Sequence, residues 1–230
     1  MPSVLVTGAS RGFGRALVDA YRGRGWTLFP LVRTRADAEG LAGATCHPIV
    51  ADVGLAGVED AVASVLGAHA TSLELLINNA GHVKKLRWLP ETAESDIEEL
   101  VRVHCVGALR LTRAALPFLR RAENATVINV SSRFGSIARV AAGEFRGIYS
   151  YSIAKSAANM LTACLDRELR GDGIRAFAVH PGRLRTTAGA VDADTDPAVA
   201  AQRLADWAAS FPRDAECALY DVMDGGIIPW

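Results

Sequence analysis

Residues 3–14 read Ser3-Val4-Leu5-Val6-Thr7-Gly8-Ala9-Ser10-Arg11-Gly12-Phe13-Gly14. A short apolar run ends in a loop with three glycines, and a helix-like segment, 12–24, follows directly. A near-continuous apolar run between turn signals suits a strand covered on both faces. Glycine permits the tight turn and lets backbone come close to a bound group. The N-terminus of the next helix offers free N–H groups and partial positive charge, which suit a pyrophosphate. Strand, glycine turn and helix in this order predict a dinucleotide site at Gly8, Ser10, Arg11, Gly12, Phe13 and Gly14. The spacing is GxxxGxG, where the general fingerprint is GxGxxG.

Outward from this stretch, apolar β-rich runs alternate with longer amphipathic ones. Strands are expected at 3–7, 27–32, 47–50, 73–77, 126–130, 174–179 and 218–222, and helices at 12–24, 57–70, 94–120, 149–170 and 197–210. The alternation predicts an α/β fold of Rossmann type, a doubly wound parallel sheet of about seven strands with helices on both faces. A single domain is expected over 1–230, without repeats or linkers. The stretch 183–197, rich in Thr, Asp, Ala and Gly, reads as a mobile flap or a surface loop, and a substrate loop is expected over about 183–212.

Half of the 230 residues are apolar, and 25 basic side chains balance 25 acidic ones. The balance argues against a nucleic-acid partner. No apolar run nears the roughly 20 residues that cross a bilayer. The N-terminus lacks the features of a signal peptide. Cys46, Cys105, Cys164 and Cys217 are scattered and are expected to be buried free thiols in a reducing compartment. A soluble, cytoplasmic protein is expected.

The residue closing the second strand governs the choice of nucleotide. A carboxylate there would bind the ribose 2′-OH of NAD and repel a 2′-phosphate. The sequence has Val32-Arg33-Thr34-Arg35, with no acid before Asp37. Arg33 can pair with a phosphate in bidentate fashion and Arg11 can join it, so NADP is favoured over NAD. Asp52-Val53 follows the third strand, where a short acid can accept from an adenine amino group. Asn78-Asn79-Ala80-Gly81 follows the fourth, and the small residues of that turn let backbone pass near a ribose.

In Tyr151-Ser152-Ile153-Ala154-Lys155 the phenol and the ammonium stand one helical turn apart on one face. A lysine so placed, with an oxidised nicotinamide, would favour the phenolate. Lowering a tyrosine pKa by about three units takes roughly 4 kcal/mol.

Taken together, Thr7–Gly14, Asn78–Gly81, Ser132, Tyr151–Lys155 and Pro181-Gly182 resemble the short-chain dehydrogenase/reductase family in order and spacing across nearly the whole chain. Ser131-Ser132-Arg133-Phe134-Gly135-Ser136-Ile137 and the tail Asp224-Gly225-Gly226-Ile227-Ile228-Pro229-Trp230 are similar to its carbonyl-reductase branch, which includes the sniffer and C-factor proteins. The resemblance implies that Tyr151 is the general acid in reduction. Lys155 would hold the nicotinamide ribose and lower the tyrosine pKa, and Ser132 would hydrogen-bond the substrate oxygen. Leu184 and Thr186, after Pro181-Gly182, match positions that contact nicotinamide in relatives. The implied reaction passes hydride between nicotinamide C4 and a carbonyl or alcohol carbon. Pairing through the two long helices would give a homodimer or homotetramer, and the apolar face with Ala158, Leu161 and Leu165 suits that or an internal core.

One departure stands out. Where the family has V-N-x-x-G, this chain has Val103-His104-Cys105-Val106-Gly107. In relatives the Asn position helps hold a water that links the lysine to solvent. His104 keeps the backbone carbonyl and adds an imidazole, which either preserves that relay with a pH response near 6–7 or damages it. His47, His69, His82 and His180 have no metal-like spacing, so no metal is expected. His82 can line the substrate pocket, and Lys84, Lys85 and Arg87 read as a solvated loop. The other reading is a cofactor-binding regulatory or signalling protein with little turnover, and a lyase or epimerase on this scaffold is a third.

Overall fold

The computed structural model describes every residue except 86, 146–148, 187–191, 211 and 213. Its regular elements are, in chain order, β1 (Ser3–Thr7), α1 (Gly12–Gly23), β2 (Thr27–Val32), α2 (Arg35–Glu39), β3 (Ile49–Val50), α3 (Val58–His69), β4 (Leu75–Asn78), α4 (Glu94–Val101), a π turn (Arg102–Val106), α5 (Gly107–Leu119), β5 (Thr126–Val130), α6 (Ile137–Ala141), α7 (Tyr149–Leu169), β6 (Arg175–His180), α8 (Pro197–Ser210), β7 (Leu219–Asp221) and β8 (Ile227–Ile228). The strands form one sheet in the order β3-β2-β1-β4-β5-β6-β7-β8, parallel except for the last pair.

The chain winds from β1 outward to β3, returns to β4 and winds the other way. The order therefore reverses between β1 and β4, which pair with Val4 opposite Leu75 and Val6 opposite Ile77. Beyond the carboxyl ends of two such strands lies the crevice in which doubly wound folds bind ligands. The glycine loop and the Asn78–Gly81 turn both open into it.

Strand alternation sorts the core into two layers. Val4 and Val6 pack with Leu17, Tyr21 and Leu204 of α1 and α8. Leu5, between them, packs with Leu66, Leu111 and Leu165 of α3, α5 and α7. Each such side chain contributes about 1.5–3 kcal/mol when fully buried.

The structure refines some expectations and corrects others. The sheet has an eighth strand, a two-residue antiparallel edge too short to carry a periodic signal. The stretch 94–120 is not one helix. The π turn interrupts it, with the Gly107 N–H donating to the Arg102 carbonyl five residues back. Only Cys46 is buried, Cys164 is exposed, and all four thiols are free. Ala158, Leu161 and Leu165 pack inward. The exposed apolar residues of α7 are instead Tyr149, Ile153 and Met160. Much of 183–212 is α8, and residues 187–191 and 211 of that expected loop lie outside the described ones. No described helix is long and apolar enough to cross a membrane.

A buried ion pair joins α7 to β6. Asp166 Oδ1 accepts from Arg175 Nε at 2.8 Å and from the Ala176 N–H at 3.0 Å, and Oδ2 accepts from Arg170 at 2.5 Å. Burial alone would raise the Asp166 pKa, but these donors outweigh it and hold the carboxyl below its ordinary value. Removing one partner of such a pair strands the other charge. Asp166→Ala is expected to cost about 3–5 kcal/mol in urea unfolding at pH 7. Because the folded pKa is depressed, the contribution is complete above the unfolded carboxyl pKa of about 4 and fades as pH falls through the folded value. The gap between variant and wild type therefore narrows in acid.

Candidate active site

The glycine loop is shaped by two requirements. Gly8 and Gly12 have φ of 66° and 55°, the left-handed region that other residues avoid. Gly14 has an ordinary φ, but a Cβ there would stand 2.1 Å from the Gly8 carbonyl oxygen. Helix α1 thus starts hard against the loop, with Phe13 buried and Ser10 half-buried. Arg11 provides no side-chain cap and the first turn holds no acid, so no side chain caps its amides. A second clamp was not foreseen from sequence. The Thr7 hydroxyl accepts from the N–H groups of Asn79 and Ala80 at 3.0 and 2.9 Å, and Asn79 Nδ2 returns a bond to the Thr7 carbonyl at 2.8 Å.

Arg33, at the end of β2, is exposed, as is Arg11. Among the described residues neither side chain has a hydrogen-bond or ion-pair partner. The next acid along the chain, Asp37, is engaged with Thr34, the N-cap of α2: its N–H donates to the Thr34 hydroxyl at 3.1 Å and its carboxylate accepts from that hydroxyl at 2.7 Å. Asp52 Oδ1 accepts from the Gly54 N–H at 2.8 Å, and Val53 beside it is buried. Across the crevice, Pro181 and Gly182 follow β6. Leu184 packs on the α1/α8 layer, and the Thr186 methyl lies 3.3 Å from where a Gly12 Cβ would stand. Arg11, Gly12 and Thr186 thus come to one place from opposite halves of the chain.

Ser132 leaves β5 where Tyr151 and Lys155 face it from α7. Lys155 Nζ donates to the Val130 carbonyl at 2.7 Å and sits 5.6 Å from the Tyr151 ring centroid. Burial pushes the Tyr151 phenol up to about 12, against the opposing effect of its hydrogen bond with Ser132. Burial also pushes Lys155 down to about 7. The protein's own groups therefore do not lower the tyrosine pKa as expected. Desolvation outweighs the Ser132 hydrogen bond, and Tyr151 is a protonated phenol at neutral pH, able to donate a proton.

A polar ladder beneath these groups was not read from the sequence. Ser131 donates to Asn159 Oδ1 at 2.6 Å, and Asn159 Nδ2 and Ser156 Oγ both donate to the Gly135 carbonyl at 3.0 Å. Asn78 Nδ2 donates to Asn129 Oδ1, and Asn129 Nδ2 to Thr162, each at 2.8 Å. The available signal was Lys155, Asn159, Thr162 and Asp166, polar residues at helical spacing on one face.

His104 lies in the π turn, buried, with its Nε2–H donating to the His82 carbonyl at 2.9 Å. Its ring meets Tyr151 edge-on at 5.8 Å. Gly81 makes room for it, since a Cβ there would stand 2.1 Å from His104 Cε1. Burial, aided by the Lys155 charge, holds the imidazole well below its ordinary pKa. It is neutral throughout the physiological range, so the pH response expected near 6–7 does not arise from it. Of the basic residues nearby, Lys85 and Arg87 are exposed as expected, whereas His82 and Lys84 are tied down. His82 meets Glu99 at 2.8 Å, and Lys84 meets Glu99 at 2.6 Å and Asp96 at 3.7 Å, fastening the loop after β4 onto α4. Among the described residues no cluster of His, Cys, Asp or Glu could hold a metal.

The short chain dehydrogenase family model matches residues 2–196. The chain is 31% identical over 189 residues to 1-hydroxy-2-glutathionyl-2-methyl-3-butene dehydrogenase from Rhodococcus sp. (strain AD45), covering 81% of this chain and 79% of that one. Superposition on an NADPH-bound carbonyl reductase from chicken fatty liver gives a TM-score of 0.91 at 27% identity, over 100% of this chain and 99% of the other. Carbonyl reductase Sniffer of D. melanogaster gives 0.92 at 26% identity over the full length of both. With motif order, fold and relatives in agreement, the chain belongs to the short-chain dehydrogenase family of oxidoreductases.

Proposed function

We propose that the protein is an NADPH-dependent reductase of small carbonyl compounds, or the corresponding alcohol dehydrogenase, with Tyr151 as the proton donor in reduction. The observation that carries this reading is a half-buried Tyr151 beside Ser132 and one turn from Lys155, at the crevice that the glycine loop also borders.

The residues fit a dinucleotide. The open N-terminus of α1 and the backbone of Gly8, Ser10, Gly12, Phe13 and Gly14 would hold the pyrophosphate. Arg33 and Arg11 would hold the 2′-phosphate, Asp52 and Val53 the adenine, and Asn79, Ala80 and Gly81 a ribose. Pro181, Gly182, Leu184 and Thr186 would border the nicotinamide, which supplies the hydride when bound. Ser132 would hydrogen-bond the substrate oxygen and stabilise its developing charge, while Tyr151 delivers the proton to it. Lys155 would bind the nicotinamide ribose. The backbone at His104 would serve the relay that re-protonates the site, the neutral imidazole anchoring residue 82. The segment 183–212 would border the substrate.

Tyr151→Phe is expected to fold and bind NADPH but lose about 10²–10⁴-fold in turnover. NADPH fluorescence reads binding, and absorbance loss against a carbonyl panel reads turnover. A wild type that binds NADPH and reduces nothing on the panel would leave a regulatory binding role in its place.

Arg33→Ala is expected to weaken NADPH binding about 10–100-fold, the worth of a charge-assisted hydrogen bond. NADH, which lacks the 2′-phosphate, should bind almost as before. Equal weakening of both in fluorescence titrations would make Arg33 structural.

Lys155→Met is expected to be inactive yet more stable. Lys155 falls from its usual value of about 10.4 to about 7 on folding. Between those values the unfolded chain holds a proton that the folded one has released, so stability rises with pH across that window. The burden on the wild type is up to about 4 kcal/mol at pH 7 and disappears near pH 10. Denaturation of both proteins at pH 7 and pH 10 should show the variant's advantage shrinking.

A further inference from the structure

Ser132 opens a single helical turn, Arg133–Gly135, at the rim of the site. Arg133, the next residue, is half-buried, and its guanidinium lies 5.5 Å from the Phe145 ring centroid and 6.0 Å from that of Phe134. The two rings meet edge-on at 4.4 Å, and Phe134 meets the Tyr151 ring at 6.0 Å. An aromatic shelf thus runs from the phenol to the cation.

Other arginines along this rim are occupied. Arg139 pairs with Glu144, Arg183 with Asp192 and Arg185 with Asp196. Among the described residues no hydrogen bond or ion pair reaches Arg133. It lies close enough to His180 and Asp192 to influence their protonation, but Asp192 is committed to Arg183. Buried His180 leaves its Nδ1 without a partner as well. The strand ends here hold polar capacity that no described protein group uses. A half-buried cation with its faces on aromatic rings and its N–H fork free suits a carboxylate, which it can bind in bidentate fashion.

The geometry points to Arg133 as a specificity residue that selects carbonyl substrates bearing an anionic group on a flat apolar spacer. The spacer would lie on Phe134 and Phe145, the carbonyl at Ser132 and Tyr151, and the acid on Arg133. This assignment rests on the reductase reading proposed above.

The test compares 4-acetylbenzoic acid with its methyl ester, two ketones on the same flat spacer that differ in the charge and one methyl group, with Arg133→Gln as the control for size. With NADPH, wild type is expected to show a kcat/KM for the acid about 10–100-fold above that for the ester, the factor a charge-assisted hydrogen bond commands. Arg133→Gln should bring the ratio near one, Arg133→Glu should invert it, and Arg133→Lys should keep part of it. Calorimetric binding of both ketones in the presence of NADP⁺, where no reduction can occur, gives the same comparison without turnover. Wild type showing no preference in either measurement, or Arg133→Gln keeping the full preference, overturns the assignment while leaving the reductase intact. If both ketones are inert as substrates, the reductase reading suffers. The binding comparison then still decides Arg133, a lost preference in Arg133→Gln supporting it and a retained or absent one overturning it.

Discussion

A helix that buries Lys155, Asn159, Thr162 and Asp166 on one face cannot settle on a sheet unless each finds a partner. Every one does. Lys155 reaches the Val130 carbonyl, Asn159 the Ser131 hydroxyl and Gly135 carbonyl, Thr162 the Asn129 amide, and Asp166 the Arg175 guanidinium. An apolar face would slide with little penalty, because van der Waals packing tolerates small shifts. A face of hydrogen bonds has one register. The placement of Tyr151 against Ser132 follows from that register, since both are carried by the elements these bonds lock together.

The remaining constraint on the site is electrostatic. The same burial that fixes α7 raises the tyrosine pKa and lowers that of the lysine, and among the described residues no carboxylate relieves the lysine. The protein's own environment thus holds an amine that gives up its proton readily close to a phenol that keeps its own. A site of this kind works against its own stability, the common condition of ionisable groups held where chemistry needs them.

Much of the fold was legible because its signals are local. Strand β1, the glycine loop and α1 lie within 21 residues, and burial on both faces leaves an apolar run that periodicity detects. The π turn was not legible, because an extra residue in a helix leaves no mark in composition, and β8 was too short to read. Within the site, Tyr151, Lys155 and the glycines stood out by spacing along the chain. The clamp from Thr7 to Asn79 and Ala80 did not, since its partners are more than 70 residues apart and threonine at a strand end looks ordinary. His104 shows where sequence reasoning failed. Its residue type suggested titration, but desolvation acts on position, which only the fold supplies.

The fit of the His104 ring over Gly81 limits how this pair of positions can change. With an imidazole in that space, any side chain at 81 collides, and a smaller residue at 104 would lift the restriction. Substitutions here are therefore ordered: position 104 must shrink before position 81 can grow. A chain that held the histidine and an enlarged residue 81 together would meet a clash whichever change came first, whereas one that shrinks position 104 first passes through folded intermediates. The two sites form an epistatic pair, and a library randomising 81 alone would score glycine as indispensable for a reason that belongs to its neighbour.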